Sequence, residues 1–144
     1  MNTPAITLFV LMLSAALPQC GTVQRAESER KQFKEVYTSE FKLTYFRKLL
    51  LAGFNNSESV KDLVRSDRSG FTEPVLSEYD HRLIDSLVYL DNQYMAHDSA
   101  SSIGTVAEGG EGKHVLGYIL NRLESKWLDS LATRRYKQSG RRRF

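Results

Sequence analysis

Charge is lacking at the start of this chain. The first 20 of its 144 residues contain no charged side chain, although the whole chain carries 20 Lys and Arg and 17 Asp and Glu residues. Residues 5–16 are largely apolar, which is the length of a secretory signal core, whereas a membrane span needs roughly 20 residues. We therefore predict an export signal over residues 1–20, which excludes most cytosolic enzymes and transcription factors. A buried N-terminal helix is the alternative, although such a helix would normally have a polar face.

Cysteine is almost absent, since Cys20 is the only one and stands just after the apolar segment. A single cysteine excludes an internal disulfide bond. A cysteine in this position can be the lipid-attachment residue of a bacterial lipoprotein, so Cys20 is a candidate membrane tether. The alternative is cleavage after Ala16, because Ser14 and Ala16 supply the small residues that a signal peptidase requires.

The sequence also lacks the period-two alternation of a β-strand, an internal repeat and a recognisable hairpin turn. Apolar residues instead recur at spacings of three and four, which predicts helices over residues 39–54, 58–67, 74–97 and 113–136. Ser125 is a candidate cap for a second helix within the last of these. We therefore predict an all-α fold, a small bundle of about four to six helices with one long glycine-rich loop.

Composition divides the chain into four parts. After the predicted signal, residues 21–36 form a polar linker or a frayed first helix, and residues 37–136 form the helical domain. Residues 137–144 form a basic tail, for which polyanion binding is one interpretation. The alternative is a solvated helix end whose cations suit the C-terminal carbonyl groups.

The predicted helix over residues 74–97 is the most regular element of the sequence. Its apolar residues form one stripe at spacings of three and four: Leu76, Tyr79, Leu83, Ile84, Leu87, Val88, Tyr94 and Met95. Charged residues, including Asp80 and Asp91, lie mostly off this stripe on the polar side of the helix.

Recognisable catalytic and metal-binding patterns are lacking too. The histidines His81, His97 and His114 stand in no nucleophile motif, and no Gly-x-Ser-x-Gly is present. His81 and Asp85 share a helix face but supply at most two ligands, whereas a catalytic zinc site needs three. We therefore expect no enzymatic activity, no metal and no cofactor.

A glycine-rich segment over residues 99–112 shows no periodic apolar pattern and ends in Glu-Gly-Gly-Glu-Gly. It does not match a phosphate loop, because the Gly-Lys-Ser/Thr ending is missing and because Glu108 and Glu111 would repel a phosphate. A flexible acidic loop on a helical body is suited to fill a groove of another protein.

Over roughly residues 37–136 the chain resembles the class-four immunity proteins of bacterial type VI secretion amidase toxins. Leu-Ile-Asp-Ser-Leu-Val at 83–88, between Tyr79 and Tyr94, is similar to the family's central amphipathic helix. Ser-Lys-Trp-Leu-Asp-Ser-Leu-Ala at 125–132 is similar to its closing segment. The chain departs from the family in lacking the two cysteines that can pair in its first and last core helices.

The resemblance implies an all-helical, periplasmic and often dimeric protein without catalysis of its own. It would neutralise a peptidoglycan amidase effector by inserting a loop into the active-site groove of that enzyme. The residues that would contact the partner lie in the glycine-rich loop: Val106, Glu108, Gly109, Gly110 and Glu111. The glycines would allow close backbone approach, and the carboxylates would pair with basic residues at the rim of the cleft.

Two alternative functions follow from the ends of the chain. Cys20 and the polar residues after it favour a lipid-anchored envelope protein with a structural or assembly role. The arginine-rich tail favours polyanion binding, but export and the 17 acidic residues of the chain conflict with a nucleic-acid partner. The expected partners are therefore the amidase effector, a second copy of the chain and, through Cys20, a membrane.

Overall fold

A computed structural model describes residues 20–101 and 111–140, with side chains from residue 23 onward. The described residues form five helices: α1 Cys20–Gly53, α2 Glu58–Ser66, α3 Glu78–Ser101, α4 Val115–Glu124 and α5 Lys126–Gly140. No strand occurs in these two ranges, so the prediction of a small all-α fold is confirmed. None of the described helices is both long enough and apolar enough to cross a membrane.

The chain divides into two units, residues 1–33 and residues 34–144. In the first unit the predicted signal lies outside the described residues except for Cys20, the first residue of α1. The linker prediction for residues 21–36 is wrong, because α1 runs through them, and the alternative of a first helix holds. Glu, Lys, Gln, Arg and Ala favour a helix even where nothing is buried. Arg25 Nε also donates to Glu29 Oε1 one turn later, at 3.0 Å.

The core of the second unit is built from apolar residues that repeat mainly every fourth position on four helices. The buried apolar side chains are Tyr37, Phe41, Tyr45, Leu49 and Leu50 of α1, Ile84, Val88 and Met95 of α3, Val115 and Ile119 of α4, and Leu128 and Ala132 of α5. Burial of each large side chain contributes about 1.5–3 kcal/mol relative to exposure. Helix α2 has no buried residue and contributes only partly buried Val60 and Val64.

The end of α1 lies directly against the beginning of α4. A Cβ atom on Gly53 would approach Val115 Cγ1 to 2.5 Å, so only glycine permits this contact without a shift of the neighbouring side chain. The following turn places Asn55 and Asn56 at φ values of 53° and 56°, which asparagine tolerates better than most residues. Lys113 Nζ then donates to Asn55 Oδ1 at 3.1 Å and so ties the segment before α4 to this turn.

Helix α3 begins and ends later than the predicted range of 74–97. Its start is set by Ser77, whose backbone N–H and Oγ both donate to Asp80 Oδ2, at 2.9 and 2.6 Å. Asp80 N–H donates back to Ser77 Oγ at 3.3 Å, which completes a reciprocal capping arrangement. These bonds override the helix-starting preference of Pro74.

The C-terminal region divides as predicted. Ser125 separates α4 from α5, and its Oγ donates to the carbonyl oxygen of Arg122 at 2.7 Å. Residues 137–140 of the predicted basic tail belong to α5, and residues 141–144 lie outside the described part of the chain.

Candidate functional site

Two aspartates of α3 are buried, although the sequence placed them off the apolar stripe. Asp80 is 1% exposed and Asp91 is 4% exposed. The prediction of a polar position is wrong for both residues, because each carboxylate has partners on other helices. A buried charge is tolerated only when it is paired and hydrogen-bonded.

The Asp80 cluster joins three helices through one carboxylate. Asp80 Oδ1 accepts from Tyr37 Oη of α1 at 2.9 Å and from Arg135 Nε of α5 at 2.7 Å. Arg135 is itself buried, and its guanidinium carbon lies 4.2 Å from the ring centre of Tyr79. Burial raises the pKa of Asp80, but the hydrogen bonds from Ser77 and Tyr37 and the charge of Arg135 outweigh it and hold that pKa below the ordinary value. Burial and Asp80 together raise the pKa of Tyr37, so the hydroxyl stays a donor.

The Asp91 cluster is built from the same residue types, with a second tyrosine. Asp91 Oδ2 accepts from Tyr45 Oη at 2.5 Å, and Oδ1 accepts from Tyr118 Oη at 2.6 Å and from Arg122 Nη2 at 2.5 Å. Burial and the neighbouring Asp91 raise the pKa of Tyr45 and raise that of Tyr118 to about 12. Burial lowers the pKa of Arg122, but the pairing with Asp91 outweighs this and leaves it raised. The Arg122 guanidinium carbon lies 4.6 Å from the ring centre of Trp127.

The two clusters differ in exposure to solvent. The Arg135 side chain is 8% exposed, whereas the Arg122 side chain is 33% exposed. Every buried side-chain nitrogen or oxygen in the described residues has a hydrogen-bond partner. The Asp80 cluster is closed, and the Asp91 cluster opens toward the surface through Arg122 and Tyr118.

An open groove of about 820 Å³ lies over the Asp91 cluster, between α3 and α4. Its lining comprises Leu90, Asp91, Tyr94 and Asp98 of α3, His114 just before α4, Gly117, Tyr118, Asn121 and Arg122 of α4, and Ser125 after it. The rings of Tyr94 and Tyr118 are 5.7 Å apart between centres and inclined by 35°. Tyr94 was expected in the buried stripe, but it is 61% exposed and forms a wall of this groove. We call this surface the α3–α4 groove.

The residues predicted to contact a partner are only partly within the described chain. Val106, Glu108, Gly109 and Gly110 lie outside it, and Glu111 is exposed. Gly112 has a φ of +112°, with open space where a Cβ would lie. The next residue is fixed, because Lys113 Nζ donates to Asn55 Oδ1 and to Asn92 Oδ1 at 3.1 Å each.

The other candidate residues of the sequence do not come together. His81 is partly buried on α3, His97 is exposed, and His114 lies in the α3–α4 groove. Within residues 20–101 and 111–140 no group of three or more His, Cys, Asp or Glu side chains is placed to hold a metal ion. Cys20 begins α1, and its side chain lies outside the description.

A signal for the buried aspartates was present in the sequence. The buried positions of α3 are Asp80, Ile84, Val88, Asp91 and Met95. Their spacing of four, four, three and four is that of a single helix face. Both aspartates are in register with the core. Their polarity alone predicts the solvent-facing side of the helix instead.

Comparison with known proteins gave no match. No family model matches the chain, and no curated protein and no solved structure is significantly similar to it.

Proposed function

We propose that this chain is a non-catalytic periplasmic immunity protein. It binds and inhibits a peptidoglycan amidase effector of type VI secretion, with residues 104–112 inserted into the active-site groove of the enzyme. The proposal is supported by the resemblance over residues 37–136 and by the uncharged segment at residues 1–20. The structural observation that carries it is the anchored stem that follows the glycine-rich loop.

The stem is fixed by contacts with two helices. Lys113 Nζ bonds Asn55 at the end of α1 and Asn92 in the middle of α3. Val115 is 4% exposed and packs against Gly53. A binding element that leaves a rigid stem loses less conformational freedom on association than one on a free tail. This arrangement suits a loop that must enter the cleft of another protein.

The acidic residues next to the stem favour a partner cleft of opposite charge. Glu111 is exposed at the point where the chain meets Gly112, and the sequence places Glu108 nearby. Two carboxylates on one short segment favour a cleft whose rim carries Lys or Arg side chains. The positive φ of Gly112 lets the backbone turn where most other residues would be strained.

The test is binding to, and inhibition of, a peptidoglycan amidase effector of type VI secretion, chosen from the genomic neighbourhood of this chain. The variant carrying Glu108→Lys and Glu111→Lys should bind the effector at least about tenfold more weakly, because two attractive contacts become repulsive. The matched control carries Glu58→Lys and Asp62→Lys on α2. These two carboxylates are exposed and form only local pairs with Lys61 and Arg65, so the control changes net charge equally.

The outcomes separate the loop from general electrostatics. Both double variants should keep the helical circular dichroism signal of the parent chain. If both weaken binding equally, net charge rather than the loop governs association. If the parent chain neither binds the amidase nor blocks its activity, the proposed function is wrong.

The alternative function is that of a lipid-anchored protein, with the lipid attached to Cys20 at the beginning of α1. Residues 23–33 are exposed, as expected of a polar segment that follows a lipid anchor. A lipid-anchored envelope protein with a structural role would incorporate a palmitate analogue in a Cys20-dependent way and would not inhibit the amidase. An anchored immunity protein would do both.

A further inference from the structure

We propose that the α3–α4 groove is a binding site for a neutral oligosaccharide, a function separate from the proposed inhibition of an amidase. The site lies over the open end of the Asp91 cluster and has a volume of about 820 Å³. From Leu90 to Asp98 the α3 wall is about 12 Å long at 1.5 Å per residue, which suits a short chain of sugar rings.

The charges of the groove favour a neutral ligand. The positive charge of Arg122 is already paired with Asp91, and Asp98 adds a second carboxylate to the lining. An anion would be repelled by Asp98 and would have to compete with Asp91 for the guanidinium. A metal ion would find too few ligands, since the described residues hold no cluster that could bind one.

The remaining surface combines an aromatic platform with polar side chains. Tyr94 and Leu90 are 61% and 62% exposed, and the Tyr118 ring continues the platform. The polar side chains of Asp98, His114 and Asn121 line the groove. A sugar ring has an apolar C–H face for the platform and a rim of hydroxyl groups for such side chains.

Gly117 leaves room for a bound molecule beside the backbone of α4. It lies in the first turn of α4 and in the groove, and a Cβ atom there would meet nothing within 4 Å. Packing within the described residues therefore does not require glycine, which weakens a helix relative to alanine. Absence of a side chain leaves the backbone of α4 open to close approach by a bound molecule.

The chain contains its own reporter for this site. Trp127 is the only tryptophan, and the Arg122 guanidinium lies over its ring. A ligand that contacts Arg122 will alter the surroundings of the indole. Titration of the folded chain with triacetylchitotriose, cellotriose and maltotriose should therefore give a saturable change in Trp127 fluorescence with at least one of them. Amide NMR shifts should move at Tyr94, Gly117 and Asn121.

Two tyrosines of α3 supply a matched comparison. Tyr94→Ala removes the most exposed ring of the platform. It should weaken binding about tenfold, a loss in line with aromatic stacking. Tyr89→Ala removes an equally exposed tyrosine, 64% against 61%, that does not line the groove, and it should bind like the parent. Gly117→Phe should abolish binding by filling the groove while leaving the thermal unfolding transition in place.

The proposal fails if none of the three saccharides binds at millimolar concentration. It also fails if Tyr94→Ala and Tyr89→Ala bind alike. Protection of the groove residues by the amidase effector, without any response to the saccharides, would assign the surface to protein binding instead. An absence of amidase inhibition would leave saccharide binding standing, so the two proposals fail separately.

Discussion

Replacement of Asp80 by Asn should destabilise the fold far more than the same replacement of Asp85 on the same helix. Asp80 is buried and accepts from Arg135 Nε at 2.7 Å, and the Arg135 side chain is only 8% exposed. Asparagine keeps the shape and the acceptor oxygen but removes the charge. The guanidinium would then stay buried without a counter-charge. Loss of one partner from a buried ion pair costs about 3–5 kcal/mol.

The control substitution Asp85→Asn removes the same charge at the surface. Asp85 Oδ1 accepts from Lys48 Nζ, but the Asp85 side chain is 58% exposed. Exposed pairs contribute about 0–1 kcal/mol. The free energies of unfolding of the two variants should therefore differ by at least about 2 kcal/mol, and Asp80→Asn should be the less stable variant. Urea-induced unfolding at neutral pH, followed by circular dichroism, measures this difference if the slopes of the transitions agree.

A second variant tests the physical cause of the loss. Asp80→Asn combined with Arg135→Met removes the stranded guanidinium and should regain at least half of the lost stability, because the uncompensated charge is gone. A double variant as unstable as Asp80→Asn alone would trace the loss to the cap at Ser77 instead. Equal stability of Asp80→Asn and Asp85→Asn would refute the reasoning from burial.

Three further predictions concern pH, glycine and export. The folded-state pKa of Tyr118 is about 12 against 10.0 for an unperturbed tyrosine, so its contribution to stability is complete below pH 10 and is lost as pH rises toward 12. Urea midpoints should therefore fall above pH 10, and less steeply in Tyr118→Phe. Gly117→Ala should raise the free energy of unfolding by up to about 1 kcal/mol, because the new Cβ meets no atom. Gly53→Ala should lower the free energy of unfolding by about 1–3 kcal/mol, because its Cβ would lie 2.5 Å from Val115 Cγ1. Thermal unfolding of the two glycine variants shows the sign of each effect. Fractionation of cells should find the chain shortened and outside the cytoplasm, and an intact chain in the cytosol would contradict the export signal.

The helices were predictable where a pattern repeats within one segment. The spacing of apolar residues located α1 to α5, and Ser125 located the break between the last two. The start of α3 was misplaced because proline preference was weighed without the bonds between Ser77 and Asp80. Residues 21–36 are helical despite their low apolar content, because helix propensity does not depend on burial.

The candidate site was less predictable because its parts meet only through tertiary packing. Tyr94 fits the apolar stripe of α3 by spacing, yet it is exposed in the α3–α4 groove. Tyr118 and Arg122 lie on another helix, and no local pattern shows that both bond to Asp91. The spacing of Asp80 and Asp91 puts both in register with the core of α3, but the partners on other helices that stabilise them there lie 27 or more residues away along the chain.

The two clusters contribute differently to the proposed saccharide site. Replacement of a buried ion pair by apolar residues of similar volume is often neutral for stability, so we expect the pair of Asp80 and Arg135 to act chiefly by fixing how α1, α3 and α5 align. The Asp91 cluster uses the same three residue types, but here Asp91 holds Tyr118 and Arg122 at the surface of the groove. Side chains held by buried partners recognise a ligand with less loss of freedom on binding. Substitutions at Asp91 should therefore affect both unfolding and recognition, whereas substitutions at Asp80 should affect unfolding alone.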